Sequence, residues 1–160
     1  MFQELDLIIC EYCAIEGYYG TQIYEFDKWI LYLAPSQRYF GTCVLALKRQ
    51  CRDLMDLNQS EWLEFGEIVK LLEESLTSLF QPDLFNWSCF KNSAFRSDNP
   101  EPEIHWHLMP RYKNPVTFNG TIFEDPDFGY IPQPITKTIP AELMEMLKKS
   151  LESVIQQKQI

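Results

Sequence analysis

From Asn99 to Tyr112 the chain reads N-P-E-P-E-I-H-W-H-L-M-P-R-Y, and between Glu103 and Leu108 polar and apolar residues alternate. In an extended segment that period of two puts Glu103, His105 and His107 on one face and Ile104, Trp106 and Leu108 on the other. These are the only two histidines of the chain, and they point the same way. A strand whose apolar face is already complete has no packing reason to hold two imidazoles beside a carboxylate. The polar face is therefore expected to look into a cleft.

A lone histidine is commonly a satisfied surface or core residue; a pair on alternate positions of one strand calls for a chemical explanation. Two chemistries use such a pair. A metal site takes two imidazoles and a carboxylate, here Glu103, His105 and His107. Phosphoryl or nucleotidyl transfer uses one imidazole as nucleophile and the other as proton donor to the leaving atom.

The run resembles the signature of the histidine triad family, a His-x-His-x-His strand closed by Pro-Arg. In that resemblance Glu103 takes the first histidine position, His105 the central, nucleophilic one and His107 the third, with Pro110 and Arg111 closing the strand. Upstream, G-T-C-V-L-A-L-K-R-Q from Gly41 to Gln50 is similar to the family's glycine-led strand, and D-L-M-D-L-N-Q-S-E-W to the loop and helix start that follow it. Near the start, C-E-Y-C-A-I-E-G resembles the family's Cys-x-x-Cys-x-Ile opening. Asn92 and Asn99 fall where the family keeps amide side chains, the first in the preceding strand and the second in the loop before the His strand. The likeness spans most of residues 10 to 112, and F-N-G-T-I-F-E-D-P-D-F-G-Y is similar to a tail of some members.

The resemblance implies a nucleotide hydrolase or nucleotidyl transferase acting at an α-phosphate, with His105 forming a transient nucleotidyl-histidine and His107 serving the leaving oxygen. It implies phosphate positioning by Asn92 and Asn99, no cofactor or metal in the chemistry, and a homodimer. The sequence departs from the pattern at four places: Glu103, Gln50 and Thr42 stand where the family has histidines, and Ala34 where many members have a ribose-binding Asp or Asn. Some members close a structural zinc site with the Cys pair and two of those histidines. Here Cys10 and Cys13 remain while Gln50 and Glu103 have replaced the other two ligands, so no bound metal is expected. Two rival readings stay open: a nucleotide-binding module with little turnover, favoured by Ala34, Gln50 and Glu103, and the metal site on Glu103, His105 and His107.

With 46% hydrophobic residues in 160, the chain is expected to form a single domain over 1–160, with the motif at 103–111 and a C-terminal extension over 113–160. No apolar run is long enough to cross a membrane, and Glu4 and Asp6 stand where a signal peptide would be basic, so a cytoplasmic protein is expected. Five cysteines without a framework spacing agree with a reducing compartment. A net charge of −9 argues against DNA or an anionic membrane as main partner. A small nucleotide needs only local donors; Lys48, Arg49, Lys91, Arg96 and Arg111 lie near the segments expected around the site, each more commonly a solvated surface charge.

Gln22 to Phe26, Trp29 to Leu33 and Thr42 to Lys48 read as strands, broken by Asp27-Lys28 and Pro35 to Arg38. A long helix follows, with Asn58 as N-cap, Glu61 completing a capping box, Leu57 placed to staple against Trp62, and Trp62, Phe65, Val69, Leu72, Leu76 and Leu79 as its apolar stripe. Pro82-Asp83 ends it. Leu84 to Lys91 reads as a strand, Ser93 to Pro102 as a loop, and Lys113 to Thr136 as a stretch with little regular pattern. A second helix opens near Thr138 to Pro140 and carries Leu143, Leu147, Leu151 and Ile155 at spacings of four. About five strands around one long helix, with a C-terminal helix, predict an α+β fold with an antiparallel sheet.

Overall fold

The structure, a computed structural model, describes residues 19–159. Its elements are β1 (Thr21–Glu25), β2 (Trp29–Leu33), β3 (Cys43–Leu47), α1 (Gln59–Phe80), β4 (Leu84–Ser88), β5 (His105–Arg111), β6 (Val116–Phe118), β7 (Thr121–Phe123) and α2 (Ala141–Lys158). Five strands form one antiparallel sheet in the order β1-β2-β3-β5-β4. This is the expected α+β architecture. The His strand lies between β3 and β4, hydrogen-bonded on both sides.

Alternation along each strand sorts the sheet into two unlike faces. Trp29, Leu31 and Leu33 of β2, Cys43 and Leu45 of β3 and Leu108 of β5 are buried in the same cluster as Ile68, Leu72 and Leu76 of α1 and Leu143, Leu147, Leu151 and Ile155 of α2. Both helices thus cover one face. Each such leucine or isoleucine withdrawn from water contributes roughly 1.5–3 kcal/mol before entropy is counted, which makes this layer the main stabilising mass. The in-between residues, His105, His107, Met109 and Arg111, are left for the other face.

α1 starts as its sequence requires. The Asn58 side chain accepts from the Glu61 backbone N–H at 3.0 Å, and the Glu61 carboxylate accepts from the Asn58 N–H at 2.9 Å. Glu61 is buried and is also gripped by Arg49 through Nε at 2.5 Å and Nη2 at 2.8 Å. That guanidinium, with the Asn58 N–H beside it, holds the Glu61 carboxyl below its ordinary range. The helix ends on Gln81 in the left-handed region, φ 52°, before Pro82.

Three expectations need adjustment. The buried side of α1 is Ile68, Leu72, Ser75 and Leu76; Trp62 is 40% exposed and meets Phe65 edge-on at 6.0 Å. Leu72 and Leu76 of the stripe read from spacing are buried and Phe65 and Leu79 pack against the core, while Ile68 takes the buried place expected of Val69. β4 stops at Ser88 instead of running to Lys91: the Lys91 ammonium pairs with Asp53 and donates to the Arg52 carbonyl at 3.0 Å, which draws the chain off the sheet. Within the patternless stretch, β6 and β7 form a hairpin around Asn119-Gly120, both at positive φ (44° and 76°). Asn-Gly between two apolar runs is the favoured two-residue hairpin turn, and it was legible. Phe123 of β7 stacks on Phe40 at 4.2 Å, which ties the hairpin to the core.

Candidate active site

The open face of the sheet centres on the two histidines. His105 and His107 are both buried, and their rings meet edge-to-face at a centroid distance of 5.1 Å and 77°. Across the strands, His105 pairs with Ala46, and His107 with Val44 on one side and Ser88 on the other.

His105 Nδ1 lies 2.9 Å from the Glu103 carbonyl oxygen. A carbonyl only accepts, so Nδ1 carries the proton of the neutral ring and Nε2 carries the lone pair. The strand's own backbone therefore selects the tautomer. Glu103 is exposed and precedes β5, and its carboxylate accepts from the Tyr19 hydroxyl at 3.0 Å. The Tyr19 ring in turn lies 4.9 Å from His105, tilted by 36°, and 5.7 Å from Tyr32. Gly20 makes that placement possible: at φ 121° it adopts a conformation that disfavours other residues, and a Cβ there would sit 2.0 Å from the Leu33 carbonyl oxygen.

The sequence candidates divide. Glu103, His105 and His107 come together, with Glu103 acting on His105 through its carbonyl while its carboxylate goes to Tyr19. Asn92 opens a short 3-10 helix, Asn92–Arg96, and is not in the preceding strand, and Asn99 lies in the loop; both are exposed. Among the described residues no three His, Cys, Asp or Glu side chains are grouped to hold a metal ion. Cys10 and Cys13 lie outside the described residues. Ala34 is buried beside Val44, Tyr32 and Tyr19, so an apolar surface occupies the position where a ribose-binding side chain was sought.

Of the five cations expected near the site, four are committed to carboxylates: Lys48 to Glu25, Arg49 to Glu61, Lys91 to Asp53 and Arg111 to Asp125. Arg111 is also no surface charge, being 1% exposed. Its Nε and Nη2 hold both Asp125 oxygens at 2.6 and 3.1 Å. Nη1 donates to Asn86 Oδ1 at 2.9 Å and to the Tyr130 carbonyl at 3.0 Å, and Nη2 also to the Asp127 carbonyl at 2.6 Å. Those contacts use all five N–H donors of a guanidinium. The Tyr39 ring covers it at 4.6 Å, and the Tyr39 hydroxyl and Arg38 bind Asp127, holding that carboxyl below its ordinary range. Residues 125–133 are thereby strapped across the open face.

Sequence reasoning missed Asn86, Ser88 and Tyr19. Asn86 and Ser88 face Met109 and His107 across β4 and β5, and the alternation F-N-W-S carried the signal: two polar residues in phase on a strand whose other face is aromatic. Tyr19 carried none, because its role depends on the fold bringing residue 19 to residue 103.

Neither a protein-family model nor a curated protein sequence matches the chain. Solved structures do. One is a hypothetical histidine triad nucleotide-binding protein from Sulfolobus tokodaii, 17% identical, with a TM-score of 0.63 over 86% of this chain and 85% of that one. A histidine triad protein from Marinobacter aquaeolei is 18% identical, with a TM-score of 0.63 over 87% and 90%. The chain has the histidine triad fold. A third structure of this fold is the Plasmodium falciparum diadenosine triphosphate hydrolase, 13% identical, with a TM-score of 0.56 over 86% of this chain and 77% of that one. His105 and His107 lie on β5, the fourth of the five strands in the sheet, on the face opposite the helices. Among the described residues no helix is long and apolar enough to cross a membrane.

Proposed function

We propose that this chain is a nucleotide hydrolase or nucleotidyl transferase of the histidine triad type that cleaves at an α-phosphate. The observation that carries the reading is the 2.9 Å contact between His105 Nδ1 and the Glu103 carbonyl, which leaves the nucleophilic lone pair on Nε2. Nε2 attacks phosphorus, a P–N bond to His105 forms, and the bond to the leaving group breaks. His107 gives a proton to the departing atom. Water then attacks the phosphorus of the nucleotidyl-histidine, returns a proton to His107 and frees the imidazole. In this reading Ser88, opposite His107, and Asn86, two residues along β4, donate to phosphate oxygens, a role the resemblance gave to Asn92 and Asn99. The ligand is a nucleotide or nucleotide conjugate and the active species a homodimer; light scattering checks the latter.

His105→Asn is expected to abolish turnover while nucleotide binding stays measurable, and intact-mass analysis of wild type under single turnover is expected to show an added nucleotidyl group that this variant lacks. His107→Asn is expected to lose ~10²–10⁴ in rate, least with leaving groups that need no proton. Wild-type turnover in His105→Asn ends this mechanism. A second reading, a binding module with little turnover, is supported by the buried methyl of Ala34; micromolar binding of a nucleotide without turnover of any favours it.

A further inference from the structure

The β6–β7 hairpin turns on Asn119-Gly120, and both residues are exposed. Its strands, Val116–Phe118 and Thr121–Phe123, form a two-stranded sheet of their own. A ribbon so short is marginal by itself and opens locally far more often than the main sheet. Asn119 adds to this, because at φ 44° it sits in the left-handed region, which is costly for a residue with a Cβ. Gly120 has no side chain to screen its N–H, and the space about it is open: a Cβ built there would meet nothing within 4 Å.

The chain has six asparagines, and the other five lack this combination. Asn99 and Asn114 precede prolines, which have no N–H. The Asn58 oxygen caps α1 and the Asn86 oxygen accepts from Arg111, and each is followed by a residue of regular structure that carries a long or bulky side chain, Gln59 and Trp87. Asn92 opens the short 3-10 helix, and Ser93 after it is buried.

We propose that Asn119-Gly120 is a site of spontaneous deamidation and that the isoaspartate formed there unmakes the hairpin. When the turn opens, the Gly120 nitrogen gives its proton to hydroxide and attacks the Asn119 Cγ. The new N–Cγ bond closes a succinimide, the Cγ–Nδ2 bond breaks, and ammonia leaves with a proton from water. Water then opens the ring at either carbonyl, giving aspartate or isoaspartate. Aspartate keeps the main chain, and Asp-Gly suits the same turn. Isoaspartate runs the main chain through Cβ and Cγ, so the turn that sets Phe118 opposite Thr121 becomes one carbon too long. Both products lose the contact from Asn119 Nδ2 to Met146 Sδ on α2, 3.2 Å, because a carboxylate has no N–H to donate. The consequence reaches the clasp: Phe123, which stacks on Phe40, leads directly into Asp125, the carboxylate that holds Arg111. The site is independent of the chemistry assigned to the His pair.

The test incubates the full chain at neutral and at mildly alkaline pH, separates the products by anion exchange and maps them by peptide mass. Isoaspartate is read from the methyl group it accepts from an isoaspartyl-specific methyltransferase, and Asn119→Asp supplies the aspartyl standard. Wild type is expected to gain one negative charge at residue 119 ahead of every other asparagine, faster in alkali, with isoaspartate among the products. Asn119→Gly keeps a favoured two-residue turn with no amide to lose, and is expected to gain none. Hydrogen exchange on the separated forms is expected to show protection lost over residues 116–123 in the isoaspartyl form and kept in the aspartyl form. An amide that persists at residue 119 in the folded chain, while the urea-unfolded chain loses it, overturns the proposal, since the turn then protects the site. Deamidation at another asparagine ahead of Asn119 overturns it as well, and so does an isoaspartyl form whose hairpin stays as protected as the unmodified one.

Discussion

The two ends of β5 handle their polar side chains in opposite ways. At the C-terminal end Arg111 is saturated, five donors on four residues, and every partner but Asn86 of β4 is part of the strap. At the N-terminal end His105 is oriented through one ring nitrogen by a neighbouring carbonyl and covered by an aromatic ring. Saturation makes a fixed point in the structure; a carbonyl on one ring nitrogen sets which nitrogen carries the proton. The same strand thus supplies a scaffold at one end and, in the mechanism proposed above, a nucleophile six residues away.

Arg111→Met is the strongest way to break this contrast. It leaves the buried Asp125 carboxylate without its cation and is expected to cost about 3–5 kcal/mol of stability, read by denaturant unfolding. His105→Asn, in the same strand, is expected to change stability by far less. Equal losses would mean that the two ends are not different in kind.

A second test moves to the helix-side pair. Glu61 has its carboxyl lowered in the fold, first by the Arg49 hydrogen bond, so its contribution is present above the ordinary carboxylate value and disappears as pH falls through the lowered one. Glu61→Gln keeps the capping geometry and removes the charge. Wild type is therefore expected to be the more stable at pH 7, with the two unfolding curves converging below about pH 4; a gap that persists in acid would assign the effect to packing.

The smallest expected effect concerns Tyr19. Tyr19→Phe keeps the ring over His105 and removes the bond to Glu103, so turnover is expected to fall by less than about tenfold, in line with one exposed hydrogen bond. A double-mutant cycle with Glu103→Gln is expected to show coupling of about 0.5–1.5 kcal/mol in kcat. Zero coupling would separate Tyr19 from His105. Restoring a histidine by Glu103→His is expected to matter less than losing His105 or His107, since the carbonyl that orients His105 is unchanged.

Much of the frame was written locally. Period-two alternation placed His105 and His107 on one face and Trp106 and Leu108 on the other, because a strand turns each successive side chain over regardless of what surrounds it. Asn58 and Glu61 announced α1, and Leu143, Leu147, Leu151 and Ile155 announced the buried side of α2, because caps and helical stripes are satisfied within a few turns of backbone. The Asn119-Gly120 turn and the Asn86/Ser88 alternation were equally local and went unread. Arg111 is different. Whether an arginine is a solvated charge, a phosphate ligand or a buried clasp depends on which carboxylates and carbonyls come within 3 Å, and its partners span residues 86 to 130, with the covering ring from residue 39. Tyr19 reaches Glu103 across 84 residues in the same way. The sequence by itself settled which side chains share a face; only the tertiary structure decided which partners each of them meets, because those hydrogen-bond partners are distant in the chain.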